Sequence, residues 1–280
     1  MVRITHTSYG KTSVPVMKVV HKEPTHEVWE FMVDVAVESP ELERSYTQAD
    51  NSPIVATDTM KNLVNYLSFS YDFASLEDLA LHIAHSLRKR YDHLPRWTVR
   101  IEGAAWIHLA PGGKEQPISF ARTGPETSFT TAVVDGDKDS LRSGIRELLV
   151  LKTTGSAFSD FLRDEFTTLP ETRDRMLATS ITAEWKIPHF GVDYARVNDS
   201  VRDTILRVFS ELESESVQHL AYETATAVLA TVGEVEEISL RLPNKHYFLM
   251  DLSHFGVENT HTLYLPTTVP HGDIHLTVTR

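Results

Sequence analysis

Alternation of apolar and polar residues is clearest in residues 27–38, which read EVWEFMVDVAVE. The odd-numbered positions after Glu27 are all apolar, whereas Glu30 and Asp34 occupy even-numbered positions. A period of two residues is typical of a strand with one buried face. We therefore predict a half-buried strand here, paired with a second strand over residues 14–21.

Apolar residues recur at intervals of three and four elsewhere in the chain, which is the spacing of an amphipathic helix. The segments with this spacing are residues 60–70, 75–91, 204–214 and 217–232. Ser75 and Asp78 at the start of the second segment resemble a capping box. The charged stretch ETRDRMLATS, residues 171–180, is predicted to form a further short helix.

Strand patterns flank the predicted helices in both halves of the chain. They cover residues 97–110, 128–136, 146–155, 237–253 and 261–268. Each half therefore contains strands, then helices, then strands, which favours an antiparallel α+β domain with helices on one face of the sheet. We predict two such domains, residues 1–143 and 144–280. Joining the open sheets of several subunits into a closed barrel is one way to cover their edges.

The long strand pattern near the C-terminus contains polar residues where apolar ones are expected. In residues 239–253, SLRLPNKHYFLMDLS, Asn244 and His246 share a face with Leu240 and Leu242. A buried polar group without a partner costs about 1–3 kcal/mol. The amide and the imidazole must therefore be satisfied locally or face a polar cavity, which makes both residues candidates for a site.

Composition narrows the chemistry and the location of the protein. The 280 residues include no cysteine, which excludes disulfides, thiolate catalysis and cysteine-bound metals. The mean hydropathy is -0.22, and the sequence shows neither a long apolar run nor a signal-peptide pattern. The C-terminal residues HLTVTR do not form a peroxisomal signal. We expect a cytoplasmic protein of bacterial origin with no membrane partner.

Charge and motifs argue against several other classes of protein. A net charge of -12 is unfavourable for a nucleic-acid surface. Among 14 histidines, His82 and His85 form a helical pair without a carboxylate partner, which a solvated helix face explains. GxGxxG, GxxxxGK[ST] and GxSxG motifs do not occur. We therefore expect no metal, no organic cofactor and no nucleic-acid partner.

Four further stretches each have an ordinary explanation when taken alone. Lys11 could be a surface lysine, and Phe158 could belong to the core. Arg175 and Gln218 could be exposed helical residues. Residues 57–58 precede a predicted helix and could cap it, although N–H groups at a helix start also suit an anion or a carbonyl oxygen.

Together these stretches resemble the urate oxidase (uricase) family. The matching strings are YGKTSV (9–14), ADNSPIVATDTMKN (49–62), LKTTGSAFSDFLRDEFTTLPETRDRMLATS (151–180), SVQ (216–218) and LRLPNKHYFLMDLS (240–253). They follow the order and spacing of the family and span almost the whole chain. The resemblance implies tandem T-fold domains, and a homotetramer whose barrel-lined tunnel has active sites at the chain interfaces.

The resemblance also implies an activity: cofactor-free oxidation of urate by dioxygen to 5-hydroxyisourate and hydrogen peroxide. The residues implied to bind the substrate are Thr57, Asp58, Phe158, Arg175, Val217, Gln218 and Asn244. The residues implied to be catalytic are Lys11, Thr57 and His246, which would form a proton relay. Asn244 would hold dioxygen and then water above the ring plane, which would explain the polar pair on the apolar face.

Two other classes of protein compete with this interpretation. A T-fold sensor that binds a purine or pterin without turning it over would need Arg175, Gln218 and Phe158, but it would have no use for the set Lys11, Thr57 and His246. A metal-dependent hydrolase of the same architecture would need a cluster of histidines or carboxylates, and the sequence offers none at ligand spacing. The sequence therefore favours the enzyme.

Overall fold

The structure, a computed structural model, describes residues 2–136, 138–267 and 269–280. Within these ranges the chain forms ten strands and five α-helices, and it divides into two compact units. The first unit comprises Met1–Gly144 and Lys186–Arg196, and the second comprises Ile145–Trp185 and Val197–Arg280. No helix within the described ranges combines the length and the apolar character needed to cross a membrane.

The first unit is an antiparallel sheet with helices on one face. Its elements are β1 (Ser8–Val20), β2 (Glu27–Glu38), α1 (Glu43–Thr47), α2 (Thr57–Ser70), α3 (Leu76–Arg90), β3 (Arg96–His108) and β4 (Phe120–Asp135). Neighbouring strands pair in the order β1-β2-β3-β4. Helix α2 contacts β1, and α3 contacts β3 and β4. The buried side chains between the layers include Val33, Val35, Met60, Ile83, Trp97 and Ile101.

The second unit repeats this order of strands and helices. The elements that lie wholly or mostly in it are β5 (Ser140–Phe158), β6 (Thr172–Ile187), α4 (Tyr194–Glu211), α5 (Val217–Thr231), β7 (Glu237–Lys245), β8 (Tyr247–Leu249), β9 (Tyr264–Pro266) and β10 (Gly272–Thr279). The strand order is β5-β6-β7-β10, and β8 and β9 form a separate two-stranded sheet. Helix α5 contacts β7 and β10. The buried side chains include Trp185, Val201, Leu220, Val228, Ile238 and Leu240.

The clearest predictions from periodicity are confirmed. Strand β2 buries its odd-numbered residues from Phe31 to Val37 and pairs antiparallel with β1. Helix α3 begins at the predicted cap, where Ser75 Oγ accepts a hydrogen bond from the Asp78 N–H at 3.1 Å. The succession of strands, helices and strands in each half is also confirmed. Local patterns were sufficient here because each element has one apolar face.

The predicted helix over residues 171–180 is wrong, because this segment begins strand β6. From Leu177 to Ile187 every odd-numbered residue is buried, which is a strand period that starts only near the end of the predicted helix. Pairing within the sheet outweighs the helix propensity of the charged residues before it. Arg175 therefore lies on a strand and not on a helix.

The prediction of one continuous strand over residues 237–253 is also wrong. Strand β7 ends at Lys245, His246 lies outside it, and β8 belongs to a different sheet. Strand β10, which pairs with β7 along its whole length, was not predicted from the sequence. The polar residues at 244–246 therefore mark the point where the chain leaves the main sheet.

Candidate active site

Lys11 lies on β1 just before its pairing with β2 is interrupted. Lys11 is opposite Val35, and the register shifts before Val14, with Ser13 at a φ of 55°. A Cβ added to Gly10 would lie 1.8 Å from the Val35 carbonyl oxygen, so only glycine allows the two strands to approach this closely. The half-buried Lys11 side chain is therefore presented from a backbone position that the sheet fixes.

Thr57 and Asp58 are the first two residues of α2, and the explanation that they cap it is wrong. The N-cap residue is Ala56, and no side chain makes a capping hydrogen bond there. Helix N-termini leave backbone N–H groups without intrahelical acceptors. These groups at Thr57 and Asp58 are therefore available to an external acceptor such as an anion or a carbonyl oxygen.

The Asp58 carboxylate is engaged within its own helix. It forms an ion pair with Lys61 and accepts a hydrogen bond from Asn62 Nδ2 at 3.1 Å. The hydrogen bond from Lys61 lowers the pKa of Asp58 most, and the charge of Lys11 lowers it further. The Lys11 side chain on β1 is therefore close enough to the start of α2 for its charge to affect Asp58.

In the second unit, the end of β5 is tied to the segment that leads into α5. The Ala157 N–H donates to the Ser214 carbonyl at 2.7 Å, and the Ser214 N–H donates to the Gly155 carbonyl at 3.1 Å. Phe158 is the next residue and the last of β5. These two hydrogen bonds hold the backbone beside Phe158 against the chain just before α5.

Val217 and Gln218 are the first two residues of α5. Ser216 caps this helix, since its Oγ accepts a hydrogen bond from the His219 N–H at 3.0 Å. Val217 is buried and Gln218 is exposed. Within the described part of the chain, the Gln218 amide makes no hydrogen bond, so both of its polar atoms can contact a ligand.

Arg175 on β6 lies over the aromatic ring of Phe158, with Cζ 5.4 Å from the ring centroid. Its guanidinium is half-buried, and this burial lowers its pKa. The Nε atom is buried and has no hydrogen-bond partner among the described residues. The neighbouring Asp174 accepts hydrogen bonds from Thr154 Oγ1 at 2.7 Å and from the Gly155 N–H at 2.8 Å. Arg175 thus offers an unpaired, directional donor beside an aromatic ring.

Phe161 belongs to the same site but was not singled out from the sequence. Its ring stacks on that of Phe158 with centroids 4.8 Å apart and planes at 12°, and Arg163 lies 5.5 Å over Phe161. In the sequence, the feature that points to Phe161 is its aromatic side chain three positions after Phe158. The stack restrains the orientation of the Phe158 ring.

Asn244 and His246 occupy different structural positions although they are two residues apart. Asn244 is on β7 opposite Gly272, half-buried, and its side-chain amide makes no hydrogen bond within the described residues. His246 follows the end of β7, and its carbonyl accepts hydrogen bonds from the N–H and Oγ1 of Thr267 at 3.0 and 2.9 Å. The shared apolar face predicted from the sequence therefore extends to Asn244 but not to His246.

The imidazole of His246 is biased toward its neutral form. Burial lowers its pKa most, and the charges of Arg175 and His271 lower it further. A neutral imidazole can accept a proton near neutral pH. Because the charge of Arg175 affects His246, the arginine on β6 lies near the residue that follows β7.

We expect an NMR titration of His246 to give a pKa below its ordinary value of 6.5. Arg175→Gln and His271→Gln should each raise this pKa, because each removes a nearby positive charge. His254→Gln, which changes an exposed histidine, serves as the control and should leave it unaltered. Because the folded pKa is lowered, His246 should contribute stability above pH 6.5 that is lost as the pH falls below it. An unchanged pKa in Arg175→Gln would contradict the proximity of the two groups.

The predicted residues fall into two groups, one in each unit. Lys11, Thr57 and Asp58 belong to the first unit, and Phe158, Arg175, Val217, Gln218, Asn244 and His246 belong to the second. In the second group the Arg175 contact with Phe158 and its effect on His246 link β5, β6 and the end of β7. Among the residues described, no three His, Asp or Glu side chains are grouped as a metal site requires.

Strands and helices that follow one another in the same order in both halves of the chain define a tandem T-fold protein. The site within it combines an arginine, an aromatic stack and a histidine whose pKa is lowered by burial. The family model for uricase matches residues 7–133 and 141–275. The chain therefore belongs to the uricase family.

Individual relatives agree with this assignment. The chain is 35% identical over 283 residues to a uricase from Dictyostelium discoideum, with 100% of this chain and 98% of the relative covered. It is 38% identical over 289 residues to a uricase from Emericella nidulans, with coverage of 97% and 95%. The crystal structure of uricase from Arthrobacter globiformis matches with a TM-score of 0.95 at 33% identity, covering 100% of this chain and 96% of that one.

Proposed function

We propose that this protein is a urate oxidase, which oxidises urate with dioxygen to 5-hydroxyisourate and hydrogen peroxide and uses no metal or organic cofactor. The observation that carries the proposal is Arg175, a half-buried guanidinium with an unpaired Nε beside the Phe158 ring. A planar anion satisfies both features at once, because it can stack on the ring and pair with the fork of the guanidinium. Membership of the uricase family supports urate as that anion.

Binding in this proposal uses three kinds of contact. Arg175 and Gln218 hold the pyrimidine edge of urate, with the guanidinium and the free amide as complementary donors and acceptors. Phe158 stacks under the ring, and the backbone at Val217 adds a contact. Backbone N–H groups of Thr57 and Asp58 at the uncapped start of α2 contact the five-membered ring.

Catalysis then requires proton transfer and correct placement of dioxygen and water. Lys11, Thr57 and His246 form the proton relay, in which Lys11 in its neutral amine form takes the urate proton and the neutral form of His246 can accept one. Two electrons pass from the urate anion to dioxygen in single-electron steps, and two protons complete hydrogen peroxide. Asn244 holds dioxygen, and then the water whose oxygen adds to the oxidised purine ring. The protein contributes orientation and proton transfer.

We further propose a homotetramer of chains with T-fold domains at 1–143 and 144–280, forming a barrel-lined tunnel. A complete site takes its Lys11 group from one chain and its Arg175 group from another. Large apolar side chains after β7 support an interface, since Phe248, Phe255 and Leu265 are 56%, 80% and 53% exposed. The cytoplasmic location and bacterial origin remain predictions from the sequence.

An assay of the purified protein with urate in air tests the function. We expect urate absorbance to disappear, with one dioxygen consumed and one hydrogen peroxide formed per urate. Dialysis against a strong chelator should leave the rate unchanged. Binding without oxygen uptake would indicate a ligand sensor, and activity that is lost to the chelator and restored by a metal would indicate a metalloenzyme. Either outcome would overturn the proposal.

Asn244→Ala should lower kcat about 100-fold while KM and purine binding change less than about twofold, the loss typical of one donor to a reacting group. The reason is that Asn244 is assigned to dioxygen and water and not to the purine edge. Asn65→Ala, at an exposed position on α2, is the control and should behave like the wild type. If Asn244→Ala raised KM alone, the assignment of Asn244 would be wrong.

A further inference from the structure

Tyr9, two residues before Lys11 on β1, is joined to the chain that leads into α2. Its hydroxyl accepts a hydrogen bond from the Val55 N–H at 2.7 Å and donates one to the Val55 carbonyl oxygen at 3.1 Å. Val55 is separated from Thr57 only by the N-cap residue Ala56. One side chain therefore satisfies both backbone polar groups of a residue just outside the helix.

The loop before α2 is held at several points, of which Tyr9 is the nearest to Thr57. Arg44 binds Asp50 and Ser52 earlier in the loop, and His93 contacts the Pro53 carbonyl at 3.2 Å. The helix start itself has no side-chain cap. The hydrogen bonds at Val55 therefore help to place the first turn of α2, together with the packing of α2 against β1.

Tyr9 and Lys11 project from the same face of β1, because they are two residues apart and the register shift follows Lys11. Gly10 between them lies against the backbone of β2, because a Cβ added to it would be only 1.8 Å from the Val35 oxygen. The strand is thus fixed where the two side chains emerge. Through its hydrogen bonds to Val55, 46 residues later in the sequence, Tyr9 holds the loop against this part of β1.

We propose that Tyr9 is a positioning residue that sets the first turn of α2, and with it the Thr57 hydroxyl, against Lys11 for proton transfer. The proposal rests on the urate oxidase function given above. Burial raises the pKa of Tyr9, so the hydroxyl keeps its proton, and its bond to the Val55 carbonyl, into the alkaline range. Tyr9 acts through Thr57 and Lys11 and does not itself contact urate.

Tyr9→Phe removes the hydroxyl and keeps the ring. We expect kcat to fall about 10- to 100-fold, because small displacements of a reacting group have effects of this size, and KM to rise as well, because the Thr57 and Asp58 N–H groups belong to the same turn. The matched control is Tyr66→Phe, which removes a hydroxyl from a residue of α2 that is 64% exposed. The control should keep the wild-type kcat.

A double-mutant cycle with Thr57→Ala separates positioning from general destabilisation. If Tyr9 acts by placing the Thr57 hydroxyl, Tyr9→Phe should change the residual kcat of Thr57→Ala less than about twofold. A loss of kcat by the same factor in both backgrounds would overturn the proposal. If the wild type oxidises urate and Tyr9→Phe leaves kcat unchanged, only this inference fails, whereas a wild type without urate oxidation refutes the proposed function itself.

A second variant covers the case in which Tyr9→Phe does not fold. Difluorotyrosine at position 9 preserves the shape of the side chain, but its phenol loses its proton at a lower pH than tyrosine. The ionised phenol cannot donate to the Val55 carbonyl. We expect the alkaline limb of the kcat profile to move to lower pH in this variant, with the same substitution at Tyr66 as the control. An unmoved profile would refute the role of Tyr9.

Discussion

Arg175→Ala should raise KM for urate by about 100-fold or more, because losing one partner of a buried, hydrogen-bonded charge pair typically costs about 2–5 kcal/mol. The guanidinium is half-buried over Phe158, and its Nε has no other partner among the described residues. Steady-state kinetics and anaerobic binding of a purine inhibitor would both measure the loss.

The chain offers two controls for this variant. Arg173→Ala removes an exposed arginine from the same strand, two residues away, and should leave KM unchanged. Arg175→Lys keeps a positive charge but loses the planar fork, and it should recover only part of the binding. Wild-type affinity in Arg175→Ala would refute the assignment of the anion site.

Mixing two inactive variants should restore about a quarter of the wild-type activity if each site combines two chains. Lys11→Met removes the proposed proton acceptor, and Arg175→Ala removes the anion site, so each protein alone should be almost inactive. In a mixed pair of chains, one site contains both substitutions and the other site contains neither. Random pairing makes about half of the pairs mixed, and half of the sites in those pairs are intact.

The measurement requires unfolding the two variants together, refolding them, and confirming mixed pairs by native mass spectrometry. Each variant refolded alone is the control for spontaneous recovery. If mixed pairs form and activity stays at the control level, Lys11 must act within its own chain, and the proposed interface site is refuted.

Sequence periodicity predicted the parts of the fold that have a single apolar face. The odd-numbered residues of β2 and the apolar stripe of α3 are examples, since burial alone decides both elements. It failed at β6, where the charged residues around Arg175 come before the buried alternation from Leu177 onward. The strand there is set by its neighbours in the sheet, and a local pattern does not contain that information.

The sequence likewise predicted some features of the candidate site and not others. The residues were found through motifs, which specify chemical types at fixed spacing. What the motifs could not supply is the pairing state of those residues, such as the free Nε of Arg175, or their supports, such as Phe161 and Tyr9. Tyr9 and Val55 are 46 residues apart, so their contact exists only after folding.

The unpaired guanidinium of Arg175 also links ligand concentration to resistance to heat. A cation kept partly away from water without a partner opposes folding of the empty protein, since a desolvated charge lacks compensation. A bound purine anion supplies the missing partner for this charge. A ligand at 100 times its Kd stabilises the native state by about 2.7 kcal/mol. The protein is therefore least resistant to thermal inactivation when no purine is bound. During a reaction it should inactivate faster once the urate has been consumed.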